Sequence, residues 1–207
     1  MGKYLEYIIA FLVTISLLFT IGIVILFRSI DSALGLNDKV YSVSELKFEY
    51  LKNEKEIEEL IKYFKSIQPK DKSIDIEFKD NKTLSRLKID YKDSLKADYV
   101  QGNVQVKSLL DTVFEKDLHW NEEQIDILNE KLDKANCISI EDGEPIKIGF
   151  KRSGMGMFSF NVFMKPETDR SVFNDSCQYI LVDKSLALEY GGGAIGPQCF
   201  PRKIKIS

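Results

Sequence analysis

At Asn53 the chain reads NEKEIEELIKYF (53–64) and, after a short polar stretch, SIDIEF (73–78); at Asn121 it reads NEEQIDILNEKL (121–132), followed by CISIED (137–142). These paired stretches decide the fold class. Ile57, Leu60, Ile61 and Phe64 fall at the i, i+3, i+4, i+7 spacing of one buried helical face, and Ile125, Leu128 and Leu132 repeat it. Asn53 with Glu56, and Asn121 with Gln124, have the spacing of a capping box, in which side chains satisfy the free amides of a first helical turn. The acidic first turns also favour the positive end of each helix dipole.

Each predicted helix leads into residues that alternate with period two. Ile74, Ile76 and Phe78 make one strand and Leu87, Ile89 and Tyr91 a second after Asp80-Asn81. In the second copy Ile138 and Ile140 lead into Asp142-Gly143, a dipeptide that tolerates the positive φ of a tight hairpin, and Ile146, Ile148 and Phe150 return. Phe158, Phe160 and Val162 come next, then Gln178 to Val182 and, after Asp183-Lys184-Ser185, Leu186, Leu188 and Tyr190. The expected fold class is α+β: two helix-strand-strand units, spanning tandem halves 40–106 and 107–207, whose strands join in one antiparallel sheet with both helices on one face.

Upstream, Tyr7 to Phe27 (YIIAFLVTISLLFTIGIVILF) holds 21 consecutive uncharged residues. As a helix this run is about 31 Å long, against a hydrocarbon core of about 30 Å. Residues 1–28 therefore read as a transmembrane signal anchor, residues 29–39 as a juxtamembrane linker and residues 40–207 as the soluble domain. Tyr4, Tyr7, Phe27 and Arg28 suit the two interfaces. The alternative is a signal peptide cleaved after Gly35, since Ala33-Leu34-Gly35 presents small residues, but the apolar run exceeds the roughly 7 to 15 residues of such a segment. Basic residues on the two sides nearly balance, and an N-terminal signal anchor usually exports the domain C-terminal to it. The expected location is a single-pass membrane protein with its domain outside the cytoplasm, in a bacterial periplasm or on a cell surface.

Composition narrows the function. With 44% hydrophobic and 29% charged residues the chain has the apolar area for a core. A net charge of -3 gives no basic footprint for nucleic acid. The single histidine, His119, stands beside the single tryptophan, Trp120, just before a helix cap; this pair reads as a staple fixing the chain's approach to the helix. No catalytic residues, metal ligands or cofactor are assigned. Glu141, Asp142 and Glu144 sit in a hairpin turn, where acidic residues suit turn geometry and solvation.

Three cysteines, Cys137, Cys177 and Cys199, allow three pairings with one thiol left over, or three buried reduced thiols. Cys177 with Cys199 is the expected disulfide, because both flank the last hairpin and closing that loop constrains a glycine-rich end. Two loops are candidate binding sites. Lys151 to Met157 combines positive charge with adaptable methionines, making Arg152, Met155 and Met157 candidates. Gly191, Gly192, Gly193 and Gly196 form the second, since ordering so many glycines implies close backbone approach to something. The expected function is a non-enzymatic, membrane-anchored binding or assembly module, in contact with the bilayer through Tyr7 to Phe27 and with a possible protein partner. The alternatives are a membrane-held inhibitor or immunity-type protein, or a small envelope enzyme.

Overall fold

Ser42, not Asn53, starts the helical part of the domain. In the computed structural model, which describes residues 16–27, 38–92, 97–154, 156–192 and 196–201, helix α1 runs Val43–Lys52 and is closed at its start by a complete capping box between Ser42 and Glu45. Asn53 ends α1: its side-chain amide donates to Glu49 O at 2.9 Å. It makes no side-chain cap on α2 (Glu54–Ile67). The expected Asn53–Glu56 box is thus corrected: as the C-cap of α1, Asn53 has φ -113° and ψ 15° rather than the extended backbone with which an N-cap aims its side-chain oxygen at the first-turn amides. The Asn121–Gln124 box is present in full and opens α4 (Glu122–Lys134).

Between them lies a segment the periodicity does not announce. Helix α3 (Val106–Leu109) continues as π-helical turns over Leu110–Leu118. They end at His119, whose left-handed backbone (φ 58°) turns the chain sharply. Trp120 is then driven into the core, where its ring stacks on Phe114 and meets Phe64 edge-on. Its indole Nε1 donates to Ile67 O at 2.7 Å, so this one side chain closes the exposed carbonyl end of α2 while packing against α3's extension.

The eight strands, in chain order, are β1 (Lys72–Asp80), β2 (Thr83–Tyr91), β3 (Tyr99–Gln105), β4 (Ser139–Glu141), β5 (Ile146–Ser153), β6 (Gly156–Val162), β7 (Tyr179–Leu181) and β8 (Leu186–Gly191). They form one sheet in the order β3-β2-β1-β4-β5-β6-β8-β7, and every pairing is antiparallel. The α+β class with an antiparallel sheet is as the sequence implies. Strand β3 has no counterpart in the sequence pattern, and the second half is not a simple meander: residues 163–178 make an excursion with a short 3-10 turn at Ser171–Phe173, and β8 slots between β6 and β7.

One face of this sheet is apolar. Ile74, Ile76, Leu87, Ile89, Ile140, Ile148, Phe150, Phe158, Phe160 and Leu188 are all buried in a single core with Leu46, Ile57, Leu60, Phe64, Ile125, Leu128 and Leu132 from the helices. The predicted core faces of α2 and α4 are those observed. Cys177 and Cys199 are disulfide-bonded, and Phe200 beside the bridge packs on Phe158 and Tyr190. Cys137 is a free, buried thiol whose pKa burial pushes up to about 12, leaving it unreactive.

Residues 16–27 are helical with their side chains exposed. No helix among the described residues is long and apolar enough to cross a membrane. The described residues therefore do not carry the expected span; its first part, 7–15, and most of the 29–39 linker lie outside them.

Replacing Trp120 with Phe keeps an aromatic ring in the core and deletes the donor to Ile67 O. The stranded carbonyl is expected to cost about 1–3 kcal/mol, read as a lowered urea midpoint by circular dichroism; an unchanged midpoint contradicts the role assigned to the indole.

Candidate functional site

The alternation that buries Ile74 and Ile76 turns Asp75 and Glu77 to the opposite face of the sheet. Register then lines up a row across the strands. Asp75 pairs with Lys88 on β2 and Glu141 on β4, Glu141 with Lys147 on β5, and Lys147 with Asn161 on β6. The next row holds Arg86, Glu77, Ser139, Gly149, Ser159, Glu189 and Tyr179. The buried side chains of the four helices all belong to the apolar core on the other side.

The carboxylates lie at the bottom of this polar face and the cations above them. Glu77 is only 1% exposed and Glu189 only 2%. Arg152 holds Glu77 in a bidentate pair, Nε to Oε1 and Nη2 to Oε2, each at 2.6 Å. Arg86 lies with its Nε 2.8 Å from Asp75 Oδ2 and donates from Nη2 to Oδ1 at 3.0 Å. Lys147 Nζ donates to Glu189 Oε1 at 2.7 Å, while Asn161 Nδ2 donates to the second oxygen at 3.0 Å. Such charges are stable in a desolvated place only because each carboxylate has a matched donor set. Ser159 Oγ, buried between Gly149 and Glu189, has no hydrogen-bond partner among the described residues and is a polar atom open to an added donor or acceptor.

Electrostatics on this face is set by burial. Burial, and then the Asp75 carboxylate directly opposite, push the Glu141 carboxyl above its ordinary range. Asp75 is likewise raised, by burial first, against the pull of Arg86. The Tyr179 hydroxyl is pushed up to about 12 by burial and by Glu189.

Glycine makes the closeness possible. A Cβ on Gly149 would collide with Ser139 Oγ and the Met157 sulfur, so a side chain there would lift Met157 off the sheet. At one rim, residues 163–178 form a wall. Arg170 donates to four backbone carbonyls, of Lys165, Pro166, Thr168 and Lys184, and Glu144 accepts from Met164 N, Lys165 N and Thr168 Oγ1. Glu144 is thus a structural clamp between the β4–β5 turn and the wall.

The two candidate loops meet at one end of the sheet. Met157 pairs with Gly191, and Gly191 bridges to Pro197. Arg152 projects onto the polar face and Met157 is buried on it; Met155 and Gly193 lie outside the described residues. Gly191, Gly192 and Gly196 adopt positive φ of 139°, 80° and 70°, and Gly192 N donates to Gly196 O at 2.9 Å. Their freedom is used to fold the chain back on itself. Asp38 accepts from Gly154 N at 2.9 Å, so the chain enters the domain at this same end. Of the polar-face residues the sequence pattern singles out Arg152 but not Asp75, Glu77, Arg86, Glu141, Lys147 and Glu189; the available signal was charge at alternate positions of two predicted strands, Asp75 and Glu77 in one and Arg86 and Lys88 in the other, while Glu141, Lys147 and Glu189 stand among uncharged neighbours on their own face.

Among the described residues no group of three His, Cys, Asp or Glu side chains is arranged to hold a metal ion. His119 caps the π-helical turns and is exposed, outside the ion pairs of the polar face. No family model, curated protein or solved structure matches the chain.

Two measurements test this arrangement. Arg152→Met removes both short hydrogen bonds from the buried Glu77 and leaves it only Arg86 Nη2 at 3.9 Å, and is expected to lower stability by about 3 kcal/mol, whereas Glu77→Met combined with Arg152→Met regains most of it; equal losses in chemical denaturation would contradict a buried pair. A carboxyl whose folded-state pKa is raised weakens the fold increasingly as pH climbs from the unfolded-state pKa to the folded-state one, the penalty being complete above the latter and absent below the former. Glu141→Gln is therefore expected to stabilise at about pH 7.5 and to have little effect at about pH 4. Urea midpoints at the two pH values check the sign.

Proposed function

We propose that the chain is a non-enzymatic binding or assembly module, held at a membrane through Tyr7 to Phe27 with its domain outside the cytoplasm, and that the polar face of its sheet is the surface that meets a protein partner. The observation that carries this reading is the tiered charge arrangement. Arg86, Lys147 and Arg152 are fixed from below by Asp75, Glu189 and Glu77, so they present oriented donors whose ordering cost is met on folding rather than on binding. A catalytic carboxylate needs a free oxygen near a reacting group; here Glu77 and Glu189 are engaged by Arg152, Lys147 and Asn161.

Two further observations support the placement. The helix at 16–27 presents Leu17, Leu18, Phe19, Ile25, Leu26 and Phe27 with more than half of each side chain's area exposed, and a helix apolar all round requires an apolar medium. The Cys177–Cys199 disulfide belongs to an oxidising compartment.

Site-specific photo-crosslinking in intact cells tests the proposal. A photoreactive residue at Lys88 or Lys147 is expected to give a discrete protein adduct, and one at Lys62 or Glu130 on the helices none. The chain is expected to stay with the membrane through an alkaline wash and to be digested by protease added outside the cells. Adducts from the helical side only, or a domain protected until lysis, would reject the corresponding half of the proposal.

A further inference from the structure

The two edges of the sheet are treated differently. Gln178 O accepts from Tyr190 N and Val182 N donates to Leu186 O, so Tyr179 and Leu181 on β7 turn their backbone groups outward, by the alternation of an antiparallel pair. Both outward amides are occupied: Tyr179 N donates to Asp175 Oδ1 at 2.8 Å and Leu181 N to Asn174 Oδ1 at 3.3 Å. With the disulfide close by, this edge is closed to further strands.

Strand β3 has no such protection. Val106 N donates to Lys82 O at 2.8 Å, and the β2–β3 register continues from Thr83 with Gln105 to Ile89 with Tyr99. Val100, Gly102 and Val104 therefore turn their backbone groups inward to β2, while Tyr99, Gln101 and Asn103 turn theirs outward. No bond among the described residues occupies the outward groups of Tyr99 and Gln101. The strand, YVQGNVQ, has neither charge nor proline, the devices that usually blunt an edge. Val100 is 63% exposed.

We infer that β3 pairs with β3 of a second copy of this chain, antiparallel, about a two-fold axis at Val100. The geometry selects the register. An antiparallel two-fold pairing places one residue opposite itself, and outward groups must meet outward groups. Centring on Gln101 would recruit Asn103, whose φ of 50° takes its amide and carbonyl out of line with a straight partner. Centring on Val100 uses only Tyr99 and Gln101: Tyr99 of each copy exchanges bonds with Gln101 of the other, about four backbone hydrogen bonds in all. The two Val100 side chains then face each other as a non-hydrogen-bonded pair with Cα atoms about 4.5 Å apart. Gly102, opposite Asp98, offers no side chain to obstruct. Lys88 stands beside Val100 on β2, and its copies would be three strand spacings apart, about 14 Å, beyond the Debye length of about 8 Å at physiological salt. Joined so, two sheets become one with both outer edges closed by Asn174 and Asp175.

Cysteine crosslinking of the full chain in detergent micelles or nanodiscs tests the pairing. The native cysteines do not interfere, since two are bonded and the third is buried. Under mild oxidation Val100→Cys is expected to give a covalent dimer at least about tenfold above an exposed control, Lys62→Cys, as effective concentration at a matched pair requires. Val100→Lys, which places like charges opposite each other at a position already exposed in the monomer, is expected to weaken dimerisation in sedimentation velocity at least about tenfold with its far-ultraviolet circular dichroism spectrum unchanged. A wild-type chain that is monomeric on its own overturns the inference, including the case where another protein supplies the added strand. A Gln101→Cys dimer stronger than the Val100→Cys dimer overturns the register.

Discussion

The two halves of this domain are joined by a seam of three residue pairs, where β1 meets β4: Asp75 with Glu141, Ile76 with Ile140 and Glu77 with Ser139. Almost every other tie between the halves depends on that register. Ile76 and Ile140 put both apolar faces on the same side, so α2 and α4 can share one core; Tyr63 OH then reaches Gln124 O at 3.0 Å and the Trp120 indole reaches Ile67 O. On the other side Glu77, sitting on the seam, is held by Arg152 from β5. A slip of one residue would exchange the two faces, exposing the isoleucines and burying the carboxylates against the helices. The short seam is therefore specified from both sides at once, by apolar contact above and by ion pairing below.

That ion pairing is more a device of specificity than of stability. A buried pair roughly breaks even against a hydrophobic replacement, but a mismatched register would leave charges unpaired at several kcal/mol each. Across the polar face Arg152 and Arg86 share Glu77, Arg86 also holds Asp75 and Lys147 holds Glu189, while Glu141, placed opposite Asp75, has its pKa raised by burial and by that neighbour. The same matching that fixes the register fixes the orientation of the cations, so a rigid polar surface comes as a consequence of how the halves join.

How much of this was legible in the sequence depends on how local each determinant is. Helices α2 and α4 were legible because four apolar residues in one and three in the other hold strict spacing. Helix α1 was not, because the exposed Phe48 and Leu51 blur a stripe carried only by Leu46 and Tyr50. Asn53 looks like a cap from sequence because the residues before it carry no clear helical stripe. Strand β3 lacks alternation, having only one flank against the sheet and mixed amides elsewhere. The π-helical turns depend on where Trp120 must land, a tertiary demand. The disulfide was legible, since Cys177 and Cys199 bracket a hairpin, whereas Glu77 and Arg152, 75 residues apart, become partners only once the strand order is known.

The chain's approach to the domain places these features relative to each other. Asp38 accepts from Gly154 N and Tyr41 packs edge-on against Phe150 and Phe158, so the chain enters the domain at the β5–β6 turn, beside the glycine return after β8. Strand β3 lies at the far side of the sheet, five strands from β6, roughly 24 Å at about 4.8 Å per strand. Because the chain enters the domain at one side of the sheet, the described part of that entry, from Asp38 on, leaves the unprotected β3 edge at the other side uncovered. The protected β7 edge, by contrast, is two strands from β6, on the same side of the sheet as this entry, where Asn174 and Asp175 occupy its outward amides.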